Sequence, residues 1–382
     1  MQRSLQYLFV LAAALSVPTV YSQTVAYVYV ANNPKNSSTN EIAAWSAASD
    51  GKLTPIFGSP FRENVFSMAV NGKYLVASNR AEPVIDTFTL ESDGALRYIT
   101  STNYAKYTSS DECGAANQLF FDHSGETLYI QEFDFDCANT GVTSFALNKY
   151  TGALKYLGVA NTGAFPGDNN SASFVGNNVY AYTAVNSDCM YYEIYGFKRN
   201  SNGLLVSISA GDSLPATPPN VRRYVADLVT ADPYDHLAVL MQPANPPGCT
   251  SDPLQLAAYT ANSSGALTTS SKYENMPPTL IANPYDMKMS PSGKLVAVAG
   301  QQGLQVFHFN GADPITHDTG LLTSAPITQM FWDNNNHLYA ISKSANKLYV
   351  FTIAPNSATE APGSPYLINS PEDLIVQPSA RR

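Results

Sequence analysis

A Gly-x-Leu turn keeps returning along this chain. It stands in "SDGKLTPIFGSPF" (Ser49–Phe61), "SDGALRYI" (Ser92–Ile99), "YTGALKYL" (Tyr150–Leu157), "SNGLLVSI" (Ser201–Ile208) and "SSGALTTS" (Ser263–Ser270), at intervals of 43 to 62 residues. In each copy polar residues precede a glycine, which reaches positive φ without steric cost, and a short apolar run follows. Each copy is a hairpin. Its recurrence at this spacing means that one supersecondary unit is used many times, and that repetition constrains the architecture more tightly than composition does.

Two further markers accompany it. One is a polar turn running into an alternating strand: "VNGKYLVAS" (Val70–Ser78), "DHSGETLYI" (Asp122–Ile130), "VGNNVYAYT" (Val175–Thr183), "DPYDHLAVL" (Asp232–Leu240), "SPSGKLVAV" (Ser290–Val298) and "DNNNHLYAI" (Asp333–Ile341). The other is a strand ending in an aromatic or apolar pair, as in "VIDTFTL", "GVTSFAL", "LQVFHFN" and "KLYVFTI". Each repeat thus reads as four short antiparallel strands, A to D. The polar turn joins A to B, and the Gly-x-Leu turn joins C to D. The spacing gives seven units, the unit length of a propeller blade. The predicted fold class is all-β: a seven-bladed β-propeller of four-stranded antiparallel blades. "TVAYVYVAN" (Thr24–Asn32) reads as a B strand with no A strand before it, and "PEDLIVQPSARR" (Pro371–Arg382) as an A strand with nothing after it. The last strand is therefore expected to complete the first blade, which leaves the ring no open seam. No Pro/Ser/Gly linker divides the repeats, so residues 23–382 are expected to form a single domain.

Residues 1–22 read as a secretory leader. Arg3 gives the charged start, Tyr7 to Val17 the apolar stretch, and Val20-Tyr21-Ser22 a cleavage site before Gln23. That stretch is too short to span a bilayer, and no later one is long enough. The chain is expected to be soluble and secreted or periplasmic, and to act as a monomer. Its formal charge is −9 and only 13% of its residues are charged. Beyond Arg222-Arg223 and Arg381-Arg382 there is no basic cluster, which excludes nucleic acid and anionic membranes as partners. Abundant Tyr (24) against 2 Trp, with 25 Pro and 23 Gly, suits a turn-rich exported β protein.

Blade loops alternate between two faces. D–A and B–C loops share one, here called the loop face; A–B and C–D turns share the other, the turn face. Four cysteines, Cys113, Cys137, Cys189 and Cys249, all fall on the loop face. An even number in an exported chain implies disulfides. Three pairings are possible, and Cys113–Cys137 within blade 3 with Cys189–Cys249 between blades 4 and 5 is the most economical. No CxxC spacing, histidine pair or phosphate loop points to a metal or cofactor, and none is expected. Glu132, Asp134 and Asp136 in "EFDFDC" alternate onto one strand face, a weak calcium signal without a calcium-loop pattern. Asn36, Asn169 and Asn262 sit in N-x-S/T sequons.

"YVYVAN" (Tyr27–Asn32), "SPSGKLVAVAG" (Ser290–Gly300), "DGKLTPIFGSPF" and "APGSPYLI" (Ala361–Ile368) resemble the YVTN-type and lactonase-like seven-bladed propellers. That family includes propeller 6-phosphogluconolactonases and carboxymuconate cycloisomerases. The resemblance covers the whole chain after the leader, and its motifs mark turns and strands. It implies a lactone hydrolase, or a non-enzymatic binding propeller of the same build, with a sugar acid or lactone or a protein as partner. Catalytic members place a His and a Pro-Arg-His-like run at the starts of two inner strands. Here "ECGAANQLFF" (Glu112–Phe121) has no His, and "NVRRYVADL" (Asn220–Leu228) has Arg222 with Arg223 in the place of His.

A site is expected at the channel mouth on the loop face, where function concentrates in propellers. Arg222, Asp286 and Glu372 are the candidate catalytic groups: Arg to hold a carboxylate bidentately, a carboxylate as general base if burial raises its pKa. Arg62, Asn117, Arg223, Asn283 and Gln329 are candidate substrate contacts, with Glu63, Asp168 and Asp373 close by in sequence order. His123, His236 and His337 read as solvated A–B turn residues, His308 as a strand C residue and His317 as a loop residue.

Overall fold

The computed structural model describes residues 23–379 apart from 34–39, 80–81, 106–115, 133–139, 164–167, 188, 190, 212 and 247. Residues 1–22, Asn36, Cys113, Cys137, Asp134 and Asp136 lie outside the described residues, as do the side chains of Asn117, Glu132, Asp168 and Asn169.

Seven antiparallel sheets make the ring, each built on a four-strand path. The inner A strands are Pro371–Pro378, Val65–Val70, Ala116–Phe121, Asp168–Phe174, Arg223–Ala231, Pro284–Met289 and Gln329–Trp332, for blades 1 to 7. Blade 1 takes its B, C and D strands from Thr24–Asn32, Glu41–Ala48 and Leu53–Pro55. The C-terminal strand closes it, with Tyr29 opposite Ile375 and Val28 opposite Val376. The expected ring closure is thus present. His317 departs from its expected place: it lies on the outer strand Asp313–Thr323, against the Phe307 ring. That D strand is longer than the turn-rich sequence around it suggested.

The core sits between blades. Tyr29 and Ile42 of blade 1 pack with Met68, Leu75 and Phe88 of blade 2, and each other seam is filled in the same way. The recurring glycines explain the abundance of tyrosine. Tyr29 donates its hydroxyl to the Gly94 carbonyl at 2.7 Å, Tyr129 to Gly203 at 2.7 Å and Tyr182 to Gly265 at 2.8 Å. Each bond runs from a B strand to the C–D hairpin of the next blade. A buried hydroxyl needs such a partner. The turn carbonyl supplies it because the glycine lets the hairpin come close. The Gly-x-Leu hairpin is therefore a lock between blades as well as a turn.

At the inner edge, each A strand has neighbours in its own blade on one side only, so its N–H groups need other acceptors. Side chains of the adjacent inner strand provide them. Asp373 accepts from Met68 N–H, Ser67 from Leu119, Ser173 from Ala231, Thr230 from Met289, Asp286 from Met330 and Gln329 from Leu374. These bonds join blades 1–2, 2–3, 4–5, 5–6, 6–7 and 7–1.

On the turn face, carboxylates organise the A–B turns. Asp333 Oδ1 accepts from Asn335 and His337 N–H, and Oδ2 contacts His337 Nδ1 at 2.7 Å and Tyr339 hydroxyl at 2.9 Å. His337 is buried, not solvated as the turn sequence implied. It opens strand B and packs under Gly51 of the next hairpin. Asp232 holds His236 in the same way, at 2.8 Å.

Candidate functional site

The loop face carries the residues that the sequence singled out, and most of them have partners there. Arg222 is exposed just before the blade 5 inner strand, with its N–H bonded to Asn245 Oδ1 at 2.8 Å. Arg223 turns toward the disulfide loop and donates to the Cys189 carbonyl at 3.3 Å. Cys189 and Cys249 are joined, pinning the B–C loops of blades 4 and 5 together. Glu372 pairs with Lys343 at 3.2 Å. Asn283 donates to Gln301 at 2.7 Å, and exposed Arg62 stands opposite Glu41 in the backbone register of Phe61–Arg62 with Glu41–Ala48.

Asp286, Gln329 and Asp373 come together along the inner wall. Asp286 accepts the Met330 N–H through Oδ2 and the Lys288 ammonium through Oδ1, at 2.9 and 3.1 Å. Gln329 donates to Asp373 Oδ1 and accepts from Leu374 N–H. Both oxygens of Asp373 are accepting, so this position needs a carboxylate or an isostere with two acceptors. Burial pushes its carboxyl up to about 6, outweighing the hydrogen bonds and the Lys288 charge that pull it down. Glu63 is also raised, by burial first and then by the charge of Asp86.

The Asp373 shift has a stability consequence of definite sign. The native carboxyl protonates near pH 6, whereas an unfolded one waits until about pH 4. Between those values the native state binds more protons, so this group adds stability as pH falls and loses it as pH rises through 6. The full effect is about 3 kcal/mol. In urea unfolding, the wild-type stability relative to Asp373→Asn is expected to rise between pH 7 and pH 4.5. A difference that does not change with pH would contradict the assignment.

The cavity on the ring axis opens on the other face. It has a volume of about 340 Å3 and is lined by His123, Gly176, Asp232-Pro233, Lys288, Ser290-Pro291 and Phe331-Trp332. Those residues come from the A–B turns and inner-strand ends of blades 3 to 7 in succession, which places the cavity at the channel mouth on the turn face. Lys288 reaches it from the inner strand of blade 6 while holding Asp286. An ammonium has three donors, so the pairing leaves donors for a ligand. Trp332 is fixed by its indole N–H, which donates to the Lys288 carbonyl at 3.1 Å. His123 stands at the rim with its ring edge-on to Phe174, 6.1 Å between centroids, and its backbone N–H bonded to Asn178. Partial burial lowers its pKa, which keeps the imidazole neutral at neutral pH.

No local pattern marks Lys288, Phe331 and Trp332 as sharing a site. They are ordinary strand residues from two blades, and only the closure of the ring brings them to one rim. His123 is an exposed A–B turn residue, as the turn sequence implied, and only its neighbours from the other blades place it at this rim.

No protein-family model and no curated protein matches the sequence. Solved structures do match the fold. The periplasmic gluconolactonase of Pseudomonas aeruginosa superposes with a TM-score of 0.66 at 12% identity, covering 93% of this chain and 99% of that one. A candidate 6-phosphogluconolactonase of Bacteroides fragilis gives 0.65 at 13% identity, over 92% and 98% of the two chains. The hydrazine synthase of Kuenenia stuttgartiensis gives 0.52 at 13% identity, over 89% and 99%. The likeness to lactonase-like seven-bladed propellers is thus a likeness of fold. The span of activities among these neighbours means that function has to be argued from the site.

Proposed function

We propose that this protein binds a small sugar acid or its lactone in the cavity on the turn face, outside the cytoplasm. The observation that carries this reading is the pairing of one ammonium, Lys288, with an aromatic wall, partly exposed Phe331 beside buried Trp332, in a single cavity of about 340 Å3. That volume suits a metabolite-sized ligand. The ammonium attracts a carboxylate or a lactone carbonyl, and the aromatic wall covers the apolar face of a sugar ring. The lactonase-like fold supports the substrate class. The Cys189–Cys249 disulfide and the leader support an oxidising location.

Hydrolysis is the second reading, favoured by the neutral imidazole of His123 in the same cavity. His123 takes a proton from water as its oxygen adds to the lactone carbonyl. The Lys288 ammonium stabilises the resulting oxyanion. The ring C–O bond then breaks, and the imidazolium returns the proton to the leaving alkoxide.

Trp45 and Trp332 are the protein's two tryptophans, so a Trp45→Phe background leaves Trp332 as the reporter. Gluconate is expected to change its fluorescence saturably, and Lys288→Met to weaken binding by about 10- to 100-fold, the value of a charge-assisted contact. No saturable change with gluconate, galactonate or glucuronate would overturn the reading. Gluconolactone opening above the spontaneous rate, lost in His123→Gln, would establish the hydrolytic role. An unchanged background rate would leave a binding protein.

A further inference from the structure

The side chains that hold the inner strands' N–H groups across the seams are of two kinds. Ser67, Ser173, Thr230 and Gln329 do this with neutral oxygens. Asp286 and Asp373 do it with carboxylates. A hydroxyl oxygen accepts one N–H as well as a carboxylate oxygen does, so the seam itself does not call for charge. The two carboxylates have something else in common, which is Lys288. Asp286 Oδ1 lies 3.1 Å from the Lys288 ammonium. The charge of that ammonium is also among the influences that pull the Asp373 carboxyl down.

Asp286 is buried, whereas the Lys288 side chain is 24% exposed and lines the axial cavity. A ligand in the cavity therefore meets the ammonium and not the carboxylate behind it. It still meets the field of the carboxylate. A ligand carboxylate bonded to Nζ from the cavity side would stand roughly 6 Å from Asp286, the length of two charge-assisted contacts in line. In a partly desolvated wall, like charges at that separation weaken binding by about tenfold or more. An uncharged carbonyl takes the same hydrogen bond and escapes the repulsion. Nothing else in the lining offsets it. His123 is neutral, and Asp232 is buried and committed to His236 and to the turn N–H groups.

We propose that Asp286 sets the ligand specificity of the axial cavity: by balancing the charge of Lys288, it admits an uncharged lactone on nearly equal terms with the acid. It is a positioning residue, acting through Lys288 and touching neither ligand. The proposal rests on the turn-face cavity being the binding site. In the hydrolytic reading it has a further consequence. The product acid carries a charge that its lactone lacks, so the same carboxylate favours release of product.

Gluconate and gluconamide test this, because they share one carbon chain and differ in charge. The amide stands in for the lactone, which opens in water. In calorimetric titrations, wild type is expected to bind the two with affinities within about tenfold of each other. Asp286→Asn should tighten gluconate by about tenfold or more and leave gluconamide within about twofold. Asp286→Thr, which gives this seam the residue type that already serves at Thr230, should do the same and guards against a folding defect of the first variant. Asp286→Glu keeps the charge and should keep the wild-type ratio. Parallel weakening of both ligands in the Asn and Thr variants, or an unchanged ratio, would overturn the proposal. Loss of folding in both variants would overturn it too, by showing that the seam needs the charge. Wild type that binds neither ligand would refute the cavity assignment itself, and the proposal with it.

Discussion

Ending the chain at Ser370 is expected to abolish cooperative unfolding. That truncation removes Pro371–Pro378, the inner strand of the blade that the N-terminal strand begins. Leu374, Ile375 and Val376 are buried, and each contributes about 1.5–3 kcal/mol by burial alone. Their sum rivals the whole stability of an ordinary domain, about 5–15 kcal/mol. The loss goes beyond area. Asp373 holds the Met68 N–H of blade 2 and the Gln329 amide of blade 7, so the same cut strands donors on both sides of the seam. It also exposes the long B strand Thr24–Asn32 as an unpaired edge, which invites aggregation. A peptide spanning residues 369–379, added in trans, should restore a cooperative transition in part. A truncated chain that unfolds cooperatively within about 2 kcal/mol of the full one would show that the ring does not depend on this closure.

Gly94→Ala is expected to cost about 3 kcal/mol. Two terms combine. Gly94 has φ +86°, where an L-residue is strained, and an added Cβ would lie 2.4 Å from the Tyr27 ring. Tyr27 cannot simply move, because its hydroxyl bonds the Ser92 carbonyl at 2.7 Å in the same hairpin. Gly72 separates the terms. It has φ +92° but nothing within 4 Å of an added Cβ, so Gly72→Ala reports backbone strain alone, about 1–2 kcal/mol. Urea unfolding of both variants should show Gly94→Ala to be worse by at least about 1 kcal/mol, the cost of overpacking. Equal losses would mean that the hairpin is a turn and nothing more.

The parts of the fold legible in the sequence were those carried by local chemistry. Gly51, Gly94, Gly152, Gly203 and Gly265 all take φ between +71° and +95°, a requirement that only glycine meets cheaply, so the hairpins announced themselves. The alternation of apolar residues marked the strands, and the unmatched strands at the two ends marked the closure. What the glycines touch was not legible. The tyrosine locks join residues 65 to 83 apart, as in Tyr29–Gly94 and Tyr182–Gly265, and no local pattern encodes which hydroxyl finds which carbonyl. The same reason hid the axial cavity. Asp286 and Gln329 were singled out as polar residues near a mouth, and they do lie on the inner wall, but each holds a neighbouring strand's N–H. The unsatisfied edge of the inner strand, a property of the ring and not of any blade, recruits them for that purpose. Lys288, two residues from Asp286, faces the opposite opening, where five blades contribute to one rim.

The proposed site is tested most directly by a crystal structure of the protein with gluconate bound. The carboxylate is expected about 2.8 Å from Lys288 Nζ, the distance of a charge-assisted hydrogen bond. The sugar chain should lie against the Phe331–Trp332 wall, with His123 at the open side. Gluconate seated instead on the loop face, against Arg222, Arg223 or Glu372, would contradict the assignment of the turn-face cavity as the binding site.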